Sequence, residues 1–179
     1  MTFCRLSRLR ALALSIAALA SCVGAHAADP CKLLTDAEVQ SVFPGARAGK
    51  PERTREKYGI RACEWAGPAG SFALQLWEAK KPGSHDDEIR GLALGIVDPL
   101  SSAAKKSVRY EKIVGVGDGA TALVETRSST GGILGDMAML VTQRGNQLAE
   151  LQSSELARGD RAAALQSLTK LAKAAVGRL

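Results

Sequence analysis

From residue 28 onward, the apolar positions change spacing several times, and each change marks an element. Thr35 stands where a helix N-cap belongs and Glu38 three residues on, a capping box, with Leu34 and Val39 placed to form the hydrophobic staple. Pro44-Gly45 cannot continue that helix, which must end near Phe43. Arg47 to Lys57 is basic and poor in apolar residues and reads as a solvated edge strand, with Arg53, Arg55 and Lys57 sharing one face.

Strand spacing then strengthens. Ile60–Trp65 and Phe72–Trp77 alternate around the turn signal Gly67-Pro68-Ala69-Gly70, predicting an antiparallel hairpin. After a loop over Lys80–Ser84 the period becomes helical, with Ile89, Leu92, Ala93, Ile96, Val97 and Leu100 on one stripe and Asp86, Asp87 and Glu88 in the first turn, where acids suit the dipole. Asp98-Pro99 distorts or ends this helix. Val108–Val114, Ala120–Thr126, Met137–Gln143 and Gln147–Ser153 return to strand spacing, the last two joined at Arg144-Gly145-Asn146. Asp160 caps a final helix with Leu165, Leu168, Leu171, Ala172, Ala175 and Leu179 on its buried side. The order helix, strands, helix, strands, helix predicts an α+β fold: an antiparallel sheet of five or six strands packed with about three helices.

The N-terminus obeys a different rule. Arg5, Arg8 and Arg10 precede an unbroken small and apolar run from Ala11 to Ala20. This has the charge and length of a signal peptide and is shorter than the roughly 20 residues of a membrane-spanning helix. Ala25-His26-Ala27 is an A-x-A cleavage site, making 1–27 the leader and 28–179 the single domain. Leu19-Ala20-Ser21-Cys22 also fits a lipobox, in which 1–21 is removed and Cys22 is lipidated, and membrane contact is expected only in that case. The short spacer before Cys31 favours simple cleavage and the periplasm; lipidation would direct the chain to the outer membrane.

The net charge of +6 is partly the leader's, since losing its three arginines leaves +3. That is too little for a nucleic-acid binder. Of four cysteines, Cys31 and Cys63 remain in the domain. In an oxidising compartment such a pair is expected as a disulfide; the rival is a zinc site, which would need four ligands and has only His26 and His85 to complete it.

Catalytic patterns are sparse. Ser102-x-x-Lys105 and Ser167-x-x-Lys170 both match S-x-x-K, but no S-D-N or K-T-G partner accompanies them. His85 lies beside acids at a helix start, without a G-x-S-x-G elbow, and adjacent Asp86 and Asp87 point away from it as metal partners. Gly115, Gly117 and Gly119 resemble a phosphate loop but precede a strand, so a turn is expected. No cofactor is expected. Trp65 and Trp77 are expected as core or cross-strand packing residues; the alternative is a surface of Arg53, Arg55 and Lys57, with Trp77 as a platform, for an anionic glycan, lipid headgroup or acidic partner.

Asp29-Pro30-Cys31-Lys32-Leu33-Leu34-Thr35 with Glu38-Val39, then Cys63-Glu64-Trp65, then Val114 to Asp118, follow each other in an order that resembles small bacterial exported proteins and lipoproteins classed as a domain of unknown function. The resemblance spans most of the domain. It implies a Cys31–Cys63 disulfide, an envelope location and a PsbP-like α+β sandwich, and no catalytic residue. A typical member has a clear lipobox and a longer tether, from which this chain departs. The function expected is a non-catalytic binding module of the periplasm or outer membrane, acting on an envelope protein, glycan or lipid component. The alternatives are a small envelope hydrolase using acids such as Glu64, Glu78 or Asp118, and an inhibitor of an envelope enzyme presenting Ser128–Gly132.

Overall fold

The computed structural model describes residues 28–68, 70–97, 108–125, 138–154 and 161–179. Its elements are α1 (Pro30–Leu33), α2 (Asp36–Gln40), β1 (Lys50–Glu52), a 3-10 turn (Glu56–Tyr58), β2 (Arg61–Gly67), β3 (Gly70–Glu78), α3 (His85–Val97), β4 (Val108–Ile113), β5 (Gly119–Glu125), β6 (Ala138–Arg144), β7 (Gln147–Ser153) and α4 (Arg161–Val176). The strands make one antiparallel sheet in the order β1-β2-β3-β7-β6-β5-β4. The α+β class and the disulfide are as expected, but the counts differ: the described residues form seven strands rather than five or six, and four helices rather than about three.

The additional helix comes from the N-terminal segment. Asp29 Oδ1 accepts the Cys31 N–H at 3.0 Å and Pro30 opens a single turn, which ends where Leu34 turns extended. Thr35 then starts a second helix through the full capping box: Glu38 N–H donates to Thr35 Oγ1 at 3.2 Å, and Thr35 N–H to Glu38 Oε2 at 2.8 Å. The basic segment also departs from expectation. Only Lys50–Glu52 pairs with β2; Arg53, Arg55 and Lys57 lie beyond it, in a loop containing the 3-10 turn, and do not share a strand face.

One sheet face carries the main core. Cys63 and Trp65 of β2, Phe72, Leu74 and Leu76 of β3, Leu151 of β7 and Leu140 of β6 meet Val39, Phe43 and the α4 residues Leu168, Leu171, Ala172 and Ala175. Phe72 packs between Trp65 and Phe43, with ring centroids 5.5 and 5.7 Å away. The Cys31–Cys63 disulfide joins α1 to β2 across 32 residues. Asp36 locks this corner, accepting from Trp65 Nε1 and from Gly49 N–H, each at 2.9 Å. Those two bonds, Gly49's first, lower the Asp36 pKa.

At the chain's end Arg178 grips Glu38 with two bonds of 2.7 and 2.9 Å and donates to Leu33 O at 2.6 Å. Arg178, followed by the Thr35 amide, holds the Glu38 carboxyl down to about 2. The second sheet face carries a smaller core, in which Ile89 and Ala93 of α3 cover Leu123, Met139, Val141 and Leu148. The predicted α3 stripe is thus realised at Ile89 and Ala93 with Leu92 packed alongside; the side chains of Ile96, Val97 and Leu100, Asp98-Pro99 and the Asp160 cap lie outside the described residues.

Candidate functional site

The second face is divided by what covers it. Side chains on this face run in rows across the sheet, because directly paired residues point the same way. One row is Lys50, Glu64, Ala73, Gln152, Met139, Leu123 and Tyr110; the next is Glu52, Ala62, Gln75, Glu150, Val141, Thr121 and Lys112. Each row is polar or small over β1–β3; where α3 packs on β5 and β6 the first turns apolar at Met139 and Leu123, and the second at Val141, with Thr121 beside it bonded to Asp86 of α3. Among the described residues no helix lies over the β1–β3 half.

That half forms a cleft of about 350 Å³. Ala62 and Ala73 keep its floor low, and Glu64, Gln75, Gln152, Ser71 and Ser154 supply polar groups around them. Ser71 and Ser154 bond each other at 3.2 Å, and Ser71 N–H donates to Ser154 Oγ at 3.0 Å. On the rim, Arg55 Nη1 donates to Gln75 Oε1 at 2.8 Å, and Glu52 accepts from Thr54 N–H at 2.6 Å. The Thr54 side chain first, and then that amide, hold the Glu52 pKa below its ordinary value. A second hollow of about 200 Å³, lined by Arg47, Lys50 and Pro51, shares Glu52 and Glu64 with the first. The two form one trough. Among the described residues nothing hydrogen-bonds or ion-pairs with the exposed Glu64 carboxylate.

Glu150 sits where the polar half meets the apolar half, directly paired with Gln75 on one side and Val141 on the other. It is 2% exposed. Burial pushes its carboxyl up to about 7, with Arg55 pulling weakly the other way. Sequence reasoning missed Gln75, Glu150 and Gln152. Their alternation with Leu74, Leu76 and Leu151 marks a polar face, but nothing local says that β3 lies beside β7.

The expected surface is dispersed. Arg55 alone reaches the cleft; Arg53 stands 4.0 Å from Glu56 and Lys57 lies over the Tyr58 ring at 4.9 Å. Trp77 is half-buried against the second core, away from the cleft residues. Of the acids weighed for hydrolysis, Glu64 faces the trough, Glu78 is exposed at the end of β3 on the opposite face, and Asp118 accepts from Gly145 N–H at 2.6 Å in a turn. The structure does not gather them.

His85 is more enclosed than its acidic neighbours suggest, because its ring lies on the α-carbon of Gly119, where a Cβ would collide. Its Nδ1, like Ser84 Oγ, is buried without a hydrogen-bond partner among the described residues. Asp86 beside it accepts from Thr121 Oγ1 and stands 3.6 Å from Lys112, tying α3 to β5 and β4. Thr121 first, then the charges of His85 and Lys112, lower the Asp86 pKa. Gly115–Gly119 joins β4 to β5 as a turn, and Lys170 of the second S-x-x-K match bonds Ser41 at 3.0 Å.

The bonded sulfurs of Cys31 and Cys63 leave no thiolate there for zinc. Among the described residues no group of three or more His, Cys, Asp or Glu converges as a metal site, and no helix is long and apolar enough to cross a membrane. The leader, Cys22, His26, Ser102–Lys105 and Ser128–Gly132 lie outside the described residues. No family model, no curated protein and no solved structure matches the chain.

Proposed function

We propose that the chain is an exported, non-catalytic binding module of the bacterial envelope, and that the trough over β1–β3 is its binding surface. One observation carries the reading. α3 packs on the second face of the sheet over β5 and β6; over β1–β3, where among the described residues no helix covers that face, the polar side chains border a concave hollow of about 350 Å³. The disulfide supports export, since such bonds persist in oxidising compartments. The leader pattern, with periplasmic release after Ala27 or outer-membrane tethering through Cys22, agrees with it. So does the resemblance to exported proteins of PsbP-like fold: Cys63 and Trp65 of its second motif share the buried face, and its third motif forms the β4–β5 turn. A rigid frame with a polar basin suits recognition of an envelope component. A hydrolase would need two carboxylates converging on one pocket, one of them able to give a proton; Glu64, Glu78 and Asp118 do not converge, and Glu52, which lines the trough with Glu64, is held as a carboxylate by Thr54 with its pKa lowered.

A photo-crosslinking amino acid at Ala73, on the cleft floor, tests the proposal against the same group at Gln166, on the exposed side of α4. In envelope extract the Ala73 probe is expected to capture a discrete species that the Gln166 probe does not. Identical capture patterns from both positions would overturn the proposal.

A further inference from the structure

The chemistry of the trough narrows what it can hold. Basic and acidic groups alternate along it: Arg47, Lys50 and Arg55 against Glu52 and Glu64. Directly paired Lys50 and Glu64 put opposite charges side by side on one row. Such a surface offers no single-sign field to a phosphate, an anionic headgroup or a polycation. It also offers no apolar slot. Its apolar residues are Ala62 and Ala73 in the cleft and Ala48, Pro51 and Ala66 in the adjoining hollow, too small to form the pockets that a peptide's large side chains or an acyl chain would fill.

What remains is a dense array of paired donors and acceptors. The Glu64 carboxylate has free acceptor capacity, and Gln75, its oxygen engaged by Arg55, keeps amide N–H groups without a partner among the described residues. Hydroxyls of Ser71, Ser154 and Thr54, able to donate or accept, complete the wall. Carboxylate, amide and guanidinium groups in one shallow basin match vicinal hydroxyls, each of which donates and accepts at once. The cleft, about 350 Å³, is at the small end of ligand sites, and the adjoining hollow adds about 200 Å³.

We infer that the trough binds a neutral, polyhydroxylated chain, a glycan segment laid across β1–β3 with Glu64 and Arg55 contacting its hydroxyls. The inference rests on the trough being the binding surface and adds the class of ligand.

Amide chemical shifts of the full chain, followed while a neutral chito-oligosaccharide or malto-oligosaccharide is added, test it. Inorganic phosphate and an oligolysine peptide serve as anionic and cationic comparisons. The expected result is a saturable set of shifts confined to β1–β3 and Thr54–Arg55 for at least one of the oligosaccharides. Affinity should fall about tenfold or more in Glu64→Gln, and separately in Arg55→Ala, as loss of a charged hydrogen bond requires. Both side chains are exposed, and an unchanged thermal melt separates lost contacts from lost fold. Three results would overturn the inference: no response to either oligosaccharide, stronger binding of phosphate or oligolysine at the same residues, or oligosaccharide shifts elsewhere on the chain. If the Ala73 crosslinker still captures a discrete partner in those cases, the binding surface stands and only the ligand class fails.

Discussion

Replacing Glu150 with glutamine should stabilise the protein above neutral pH. The carboxyl's ordinary value is 4.5, and burial raises it to about 7 in the folded chain. A raised acid binds its proton more tightly in the native state, so wild-type stability is highest, on this group's account, below the unfolded value. It falls as pH rises through the folded one. Two and a half units at about 1.4 kcal/mol each give a loss of about 3 kcal/mol between pH 4.5 and 8, of which roughly 2 kcal/mol has gone by pH 6. With the residue 2% exposed, solvent screening takes little from that figure. Glutamine keeps the shape and has no proton to lose. Urea unfolding followed by tryptophan emission, with Trp65 in the core as reporter, should show the wild-type and variant curves converging near pH 5 and separating by about 3 kcal/mol at pH 8. Profiles that stay parallel within about 0.5 kcal/mol across that range would refute the argument that Glu150 is held in a low-dielectric site.

Other expectations follow from the frame. Reducing the Cys31–Cys63 bond, or replacing both residues with serine, should lower stability by about 3–4 kcal/mol, read as a shifted urea midpoint; a change under about 1 kcal/mol would mean the clasp constrains little. Glu38→Gln removes the carboxylate that grips Arg178. That carboxyl is depressed to about 2, so its stabilisation is complete above pH 4.5 and lost as pH falls toward 2. Because the two side chains are 30% and 42% exposed, about 1 kcal/mol is the expected cost at pH 7, with no further difference from wild type near pH 2. Gly49→Ala would place a Cβ 2.6 Å from the Trp65 ring and 2.9 Å from Cys63 Sγ, and should cost about 1–3 kcal/mol with an altered near-ultraviolet dichroism spectrum. A neutral effect there would show that β1 can move away from the disulfide.

The sequence reads well where one short segment carries the whole signal. Thr35 and Glu38 announce their capping box, and the β2–β3 and β6–β7 hairpins pair around Gly67–Gly70 and Gly145-Asn146 as their turns predict. Asp29-Pro30 carries an equally local signal, a cap followed by proline, and is hidden only by the stronger start six residues later. The basic stretch misleads because alternation of Arg53, Arg55 and Lys57 is a strand pattern only if a neighbouring strand is there to pair with, and β2 faces only Lys50–Glu52. The site was the least legible part. Glu52, Gln75 and Glu150 are ordinary polar residues on three segments, brought onto one row by the β1–β2–β3 pairing and by the long-range β3–β7 pairing. Which half of a sheet face a helix leaves bare is settled by packing between segments, and no window along the chain contains it.

Export to an oxidising compartment, where the Cys31–Cys63 bond would persist, is the central proposal. The most direct check is the intact mass of protein recovered from the envelope of producing cells after thiol alkylation. It should correspond to a chain beginning at Ala28, or at a lipidated Cys22, with Cys31 and Cys63 unalkylated. A chain retaining residues 1–27, with both cysteines alkylated, would contradict it.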